Sequence, residues 1–192
     1  FLQQYFKLEG PAITVGTACS SSAKAFANAD RWISAGLCDA VIVAGADSFC
    51  KNILYGFDSL DVLSEQACKP SDKNRSGLSL GEGAGLVLIE ASHDRGKIEL
   101  LGYGESSDAF HMSSPHPEGA GIIDSMQQAL NQADLKAQDI DYVNLHGTAS
   151  HLNDKYESKG VYELFSNKTP SSSIKGWTGH TLGASGVIEA IM

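Results

Sequence analysis

Cys19, His146, Lys175 and His180 are the side chains of this 192-residue chain best suited to covalent chemistry. Cys19 stands in Thr17-Ala18-Cys19-Ser20-Ser21-Ser22, which reads as the turn from a buried strand into a helix. A sulfur at such a junction faces the unpaired N–H groups of the helix start, and the dipole there favours the nucleophilic thiolate. A thiolate suits acyl transfer, because it attacks a thioester carbonyl and retains the acyl group. His146 opens His146-Gly147-Thr148, and Lys175 and Gly179-His180 follow. A neutral imidazole that donates its N–H stabilises a developing oxyanion or enolate, and two such donors at one carbonyl ease a carbanion reaction. A nearby lysine biases protonation electrostatically, and a glutamate can fix the lysine or the imidazoles. Each residue also has a plainer reading. Cys19 among Ala and Gly suits a small core position, and both histidines suit hydrogen-bonded turns. His93, His111, His116 and His151 read as surface or loop groups.

The elements that must position these residues alternate in type. Ala12-Ile13-Thr14-Val15 is a short β-branched strand run broken by Gly16, and Ala23 to Ala35 is an Ala-rich helix ended by Gly36. Asp39–Ala46 is a continuous apolar run, the pattern of a strand covered on both faces. Residues 47–80 read as loop-rich, with a turn at Lys69–Asn74. Gly81-Glu82-Gly83-Ala84-Gly85 leads into a buried strand, Leu86–Ile89, and another strand is expected at Ile98–Tyr103. A polar crossing, Ser106–Gly119, precedes a helix at Ala120–Ala133. The expected order ends with strand Asp141–Leu145, helix Lys155–Phe165, strand Ser171–Ile174 and a helix from Gly183 to Met192. Strands alternating with helices make the class α/β. Residues 12–27 and 172–190 echo each other as strand, turn and Ala- or Gly-rich helix. Both helices are composed for burial on every side. Two such helices, each with a reactive side chain near its start, imply two like halves meeting at one site, and strand C-terminal ends are where α/β sheets place ligands.

Composition narrows the partners. Hydrophobic content of 42% with five prolines indicates a folded domain with a real core. A net charge of −9, from 14 basic and 23 acidic residues, disfavours nucleic acid or an anionic membrane as the main partner. No apolar run approaches the ~20 residues of a membrane span, and no secretory signal pattern is visible. Cys19, Cys38, Cys50 and Cys68 form no CxxC pair, so zinc is not expected, and Cys38, Cys50 and Cys68 read as reduced packing residues. The expected location is cytoplasmic. Because the chain starts at Phe1, it reads as a piece of something longer.

Taken together, the motifs resemble the β-ketoacyl-acyl carrier protein synthases, the condensing enzymes of fatty acid and polyketide synthesis. The matching text is Thr17-Ala18-Cys19-Ser20-Ser21, Phe57–Ser64, Gly81–Gly85, Ser107–Met112, His146-Gly147-Thr148, and Lys175 through Gly186. The Ser107–Met112 text is close to the elongating, KAS I/II-like form. The resemblance implies a thiolase-like fold, layered αβαβα in two similar halves and incomplete here: residues 1–105 would end the first half, and 106–192 would form part of the second. It implies an acyltransferase that joins an acyl-enzyme thioester to malonyl-acyl carrier protein with loss of CO₂, giving a 3-oxoacyl-acyl carrier protein, in fatty acid, polyketide or aryl polyene synthesis. By the same resemblance Cys19 takes the acyl chain, His146 and His180 line the malonyl site, Lys175 tunes it, and Glu189 matches a buried acidic residue. Thr148 and Ser150 would hold the phosphopantetheine arm, and Phe57 would stand beside the acyl chain.

No bound cofactor and no resident metal are expected, the pantetheine arm arriving on the carrier protein. A structural cation near Asn144 and Glu189 is a lesser alternative. The implied partners are acyl carrier protein and a homodimeric or homologous heterodimeric subunit. Two departures stand out. Ala149-Ser150 follows His146-Gly147-Thr148 where the family has Ser/Thr-Thr, with Ser150 keeping the hydroxyl. Arg75-Ser76-Gly77-Leu78 replaces Arg-Asp-Gly-Phe. The alternative reading is a non-catalytic or weakly active ketosynthase-like partner subunit, against which Cys19 and both histidines argue. A thiolase is disfavoured because no second cysteine stands near His180.

Overall fold

The computed structural model describes residues 1–91, 98–111 and 114–192; His93 and Met112 lie outside them. In chain order the elements are α1 (Leu2–Tyr5), α2 (Ser21–Ser34), β1 (Ala40–Asp47), α3 (Lys51–Asp58), β2 (Gly83–Glu90) and α4 (Ala120–Gln132), followed by β3 (Val143–Asn144), α5 (His151–Phe165), β4 (Ser171–Ser172), α6 (Lys175–Thr178) and α7 (Ser185–Ile191). Short 3₁₀ turns occupy Ala18–Ser20, Ala137–Asp139 and Leu182–Ala184. Two compact units result. One comprises Phe1–Asp47, Gly83–Arg95 and Leu182–Met192, and the other Ser48–Glu82 and Gly96–Thr181. The units cut across sequence order because β2 returns to pair with β1 and α7 packs on both strands.

In the first unit β1 and β2 pair antiparallel from Ala40↔Glu90 to Asp47↔Gly83. One face of this ribbon carries α2 and α7, and small residues let the backbones approach. A Cβ on Gly45 would lie 2.9 Å from both Ser22 Cβ and Val187 Cγ1, and one on Gly186 would lie 2.5 Å from the Ala23 nitrogen. The Val187 N–H donates to Ser22 Oγ at 3.0 Å, and the Gly183 N–H to Asp47 Oδ2 at 3.0 Å. The other face is open: exposure alternates along β2, with Leu86 and Leu88 44% and 58% exposed.

Four expectations fail in this unit. Asp39–Ala46 and Leu86–Ile89 form strands, but the first is not covered on both faces, since β1 buries only Val43, and the second is not buried, since Leu86 and Leu88 are exposed. Ala12–Val15 is extended but joins no ladder. A cavity of about 590 Å³ separates residues 8–15 from β1 and α2, so no strand lies beside the run to accept its hydrogen bonds. Nor is α2 buried on every side, since only Ser22, Ala27 and Ala29 are buried while Arg31 is exposed.

In the second unit β3 and β4 run parallel, Val143↔Ser171 and Asn144↔Ser172, with α5 as the crossover between them. Leu130, Leu145, Val161 and Phe165 form its core, with Met126, Val143 and Leu164 packed against them. Gly160 lets α5 lie close to α4: a Cβ there would meet Ile122 Cγ2 at 3.1 Å. Both strands are shorter than the sequence runs indicate, and α5 starts a turn earlier, at His151. The loop-rich reading of 47–80 missed α3, whose half-buried Ile53, Leu54 and Phe57 share one helical face. Ile98–Tyr103 is not a strand. The segment lies along α4 instead, the Tyr103 N–H donating to Gln132 Oε1 at 3.1 Å and the Glu105 N–H to Gln128 Oε1 at 3.3 Å. Side-chain amides there take the main-chain donors that a ladder would have used.

Candidate active site

His146 leaves the end of β3, just after buried Leu145 has anchored the strand in the core. The turn that follows depends on Gly147. Its φ is +41°, and a Cβ would stand 2.4 Å from Ser173 Cβ, so a side chain there is both strained and obstructed. Glu157, two turns into α5, holds this turn from beneath. Its Oε1 accepts the His146 N–H at 2.6 Å and its Oε2 the Gly147 N–H at 2.8 Å. Burial pushes the Glu157 carboxyl up, opposed by these two bonds and by one from Asn153.

Lys175 opens α6 and is 1% exposed. Ser173 links it to the His146 turn: its Oγ donates to the Gly147 carbonyl at 2.9 Å and accepts the Lys175 N–H at 3.2 Å. The Cys68 thiol donates to the Lys175 carbonyl at 3.0 Å, which accounts for the burial of that cysteine. His180 sits in a parallel bridge with Leu80, its N–H donating to Ser79 O at 2.7 Å while its carbonyl accepts from Gly81 at 2.9 Å. Gly81 is required at this crossing, because a Cβ would collide with the Thr178 carbonyl.

These supports bring three side chains together. The His146 and His180 rings meet edge to face, centroids 5.2 Å apart at 85°. Lys175 Nζ lies 3.5 Å from His146 Nδ1. An ammonium only donates, so Nδ1 presents its lone pair to Lys175 and the imidazole proton resides on Nε2. Phe57, on α3, stands with its ring 6.4 Å from that of His180. Burial, aided by the charge of Lys175 and by His180, lowers His146 to about 3; burial and Lys175 lower His180 to about 4. Both rings are therefore neutral near pH 7, each carrying one N–H.

These shifts set a pH dependence. In the unfolded chain both histidines take up protons near 6.5, whereas in the folded chain they stay neutral down to about 3 and about 4. The unfolded state binds more protons in between, so their contribution is intact above about 6.5 and is lost as pH falls towards 3. Glu157, shifted upward, works against the trend. Melting temperatures taken from pH 7 to 4 should fall, and the fall should flatten when both histidines are replaced by Gln.

The remaining candidates have defined places. Thr148 is buried, and its Oγ1 lies 3.0 Å from Ser150 Oγ in the turn that caps α5. Asn144 is the exposed last residue of β3. Cys19 and Glu189 belong to the first unit. Cys19 is half-buried in the 3₁₀ turn just before α2, behind Ala18 at φ +51°. Glu189 is half-buried on α7, not fully buried as the resemblance implied. Cys38 is half-buried, but Cys50 is exposed at the start of α3, contrary to the packing role read for it. The sequence reading passed over Glu157, Asn153, Asp154 and Ser173. The available signal was three polar residues in the first turns of a helix that follows a glycine turn.

The sequence comparisons agree with this geometry. Residues 1–95 match the β-ketoacyl synthase N-terminal domain and residues 98–192 the β-ketoacyl synthase C-terminal domain, leaving almost nothing unmatched. The chain belongs to the β-ketoacyl synthase family. Among curated relatives, the 3-oxoacyl-[acyl-carrier-protein] synthase 2 of Rhizobium meliloti (strain 1021) is 40% identical over 202 residues, covering 96% of this chain and 48% of the relative. That of Staphylococcus aureus is 35% identical over 198 residues, covering 95% and 49%. Among solved structures, the ketosynthase ApeO in complex with its chain length factor ApeC from Xenorhabdus doucetiae is 49% identical with a TM-score of 0.95, covering 99% of this chain and 47% of that one. A β-ketoacyl synthase from Burkholderia phymatum STM815 gives 35% and 0.91, covering 98% and 49%. This β-ketoacyl synthase chain thus has the thiolase-like α/β fold of its family and spans about half the length of the relatives it matches. Among the described residues no helix is long and apolar enough to cross a membrane.

Proposed function

We propose that the protein carrying this chain is a 3-oxoacyl-acyl carrier protein synthase. An acyl group passes from its carrier thioester to Cys19 Sγ, releasing the carrier thiol. Malonyl-acyl carrier protein then loses CO₂, and the electron pair of the broken C–C bond becomes an enolate whose negative oxygen receives the N–H groups of His146 and His180. The enolate carbon attacks the Cys19 thioester carbonyl, the C–S bond breaks, and Cys19 leaves as thiolate. The product is a 3-oxoacyl-acyl carrier protein.

The observation that carries this reading is the pair of neutral imidazoles with Lys175 set against Nδ1 of one of them. That arrangement gives donors without positive charge on the donors themselves, which suits an oxygen that becomes negative only during reaction. Thr148 and Ser150 hold the pantetheine arm, and Phe57 borders the acyl chain. Acyl carrier protein is the substrate-bearing partner and supplies the only prosthetic group, its pantetheine arm. The working unit is a dimer of this protein or a heterodimer with a homologous subunit. It works in the cytoplasm, where carrier-bound thioesters are made.

Lys175→Ala in the full-length protein tests this. Losing a charge-assisted contact of roughly 1.5–3 kcal/mol should slow malonyl-carrier decarboxylation about ten- to hundredfold, with a smaller proportional effect on melting. A large loss of stability with an unchanged rate per folded enzyme would assign Lys175 a structural role only.

A further inference from the structure

Asp154 has no part in the chemistry above, yet it is among the most buried charged residues described, at 3% exposed. Each of its oxygens accepts a main-chain N–H from a different turn. Oδ1 takes that of Ala149 at 3.0 Å and Oδ2 that of Ser71 at 2.7 Å. Both donors are non-glycine residues in the left-handed region, Ala149 at φ +67° and Ser71 at φ +62°. L-residues avoid that region unless the surroundings hold them in it. Asn153 Nδ2 also donates to Oδ1, at 3.2 Å, and Arg75 Nε stands 3.7 Å from Oδ2. Arg75 in turn donates to the Asp72 carbonyl at 3.0 Å and the His151 carbonyl at 3.1 Å. One buried carboxylate therefore joins two strained turns, and an arginine from one turn caps the other.

We propose that Asp154 is the positioning residue for carrier-arm binding. By holding Ala149 left-handed it sets the angle between Thr148 and Ser150, so that their hydroxyls, 3.0 Å apart, point to a common side. Through Ser71 and Arg75 it fixes the 71–75 loop against the same turn. This rests on reading Thr148 and Ser150 as the pantetheine contacts.

The test uses the full-length protein and an acyl-pantetheine thioester. Asp154→Asn keeps the shape but turns an NH₂ toward one of the two N–H donors. It should raise KM about tenfold or more while leaving kcat within about threefold, since the loss falls on binding. Adding Ala149→Gly should restore most of the KM, because glycine adopts the left-handed conformation unaided. General packing would not be rescued at a neighbouring backbone position. An unchanged KM, or a raised KM that Ala149→Gly does not restore, overturns the proposal. If Asp154→Asn does not accumulate, Arg75→Gln carries the test, with KM up about threefold and restored by the same glycine; an unaltered KM overturns it equally. Thr148→Val with Ser150→Ala is the separate control. If that variant keeps the parent KM, the pantetheine reading fails and this proposal falls with it. If it raises KM while Asp154→Asn does not, only the positioning role is lost.

Discussion

Cys19→Ser in the full-length protein should abolish the acyl-enzyme. Serine preserves the size and the hydrogen-bonding capacity of the side chain, so the 3₁₀ turn at Ala18–Ser20 and the start of α2 should survive. What it removes is the nucleophile. A thiol ionises near neutral pH, whereas a serine hydroxyl needs an adjacent base to attack a thioester. Acylation should drop by at least about 10³-fold, and intact mass after incubation with acyl carrier protein should show no adduct. An adduct on Cys38, Cys50 or Cys68 would refute the assignment. Those three stand at separate positions in the sequence, so a peptide map tells them apart from Cys19.

His146→Ala and His180→Ala should each remove condensation while acyl transfer to Cys19 persists at least in part. The two rings are separate donors with separate supports, Glu157 and Ser173 beneath one and the Leu80 bridge beside the other. Removing one donor to a developing oxyanion costs about 10²–10³-fold. The loss should appear in decarboxylation of malonyl carrier protein by an already acylated enzyme. Near-normal condensation by His180→Ala would defeat the two-histidine mechanism. In its native form the decarboxylation rate should show no inflection at the ordinary imidazole value, because burial and Lys175 keep both rings neutral well below it.

The parts legible in the sequence were those where one residue type answers one constraint. Gly147 stands where a left-handed φ and the proximity of Ser173 leave no room for a side chain. The Asp39–Ala46 run became β1 almost to the residue, since a continuous apolar run around Val41-Ile42-Val43 has few other uses, but only Val43 is buried and the strand is not covered on both faces. His146, Lys175 and His180 could be picked out because reactive types stand next to glycines, before Gly147 and Gly176 and after Gly179. What escaped depended on neighbours. Ile98–Tyr103 has strand composition, yet Gln132 of α4 accepts the Tyr103 N–H and Gln128 that of Glu105 just beyond it. Ala12–Val15 has strand composition and no partner strand. Helix α3 is only eight residues long and its apolar face only three, too short for periodicity to declare itself. Glu157 and Asp154 looked like ordinary helix-start acids, and only the fold turns their carboxylates inward onto main-chain donors.

The ribbon of β1 and β2 has a consequence for handling this protein. Beyond β2, the far edge of β1 carries a row of main-chain donors and acceptors with no strand beside it among the described residues, and one broad face shows Leu86 and Leu88 to solvent. Such an edge is a template for any extended chain that reaches it, and such a face is adhesive to its own copies. Residues 1–192 prepared by themselves should consequently gather into β-rich aggregates as concentration rises. A lysine in place of Leu88 would act as a gatekeeper there, keeping the material dispersed without touching a single group that does chemistry.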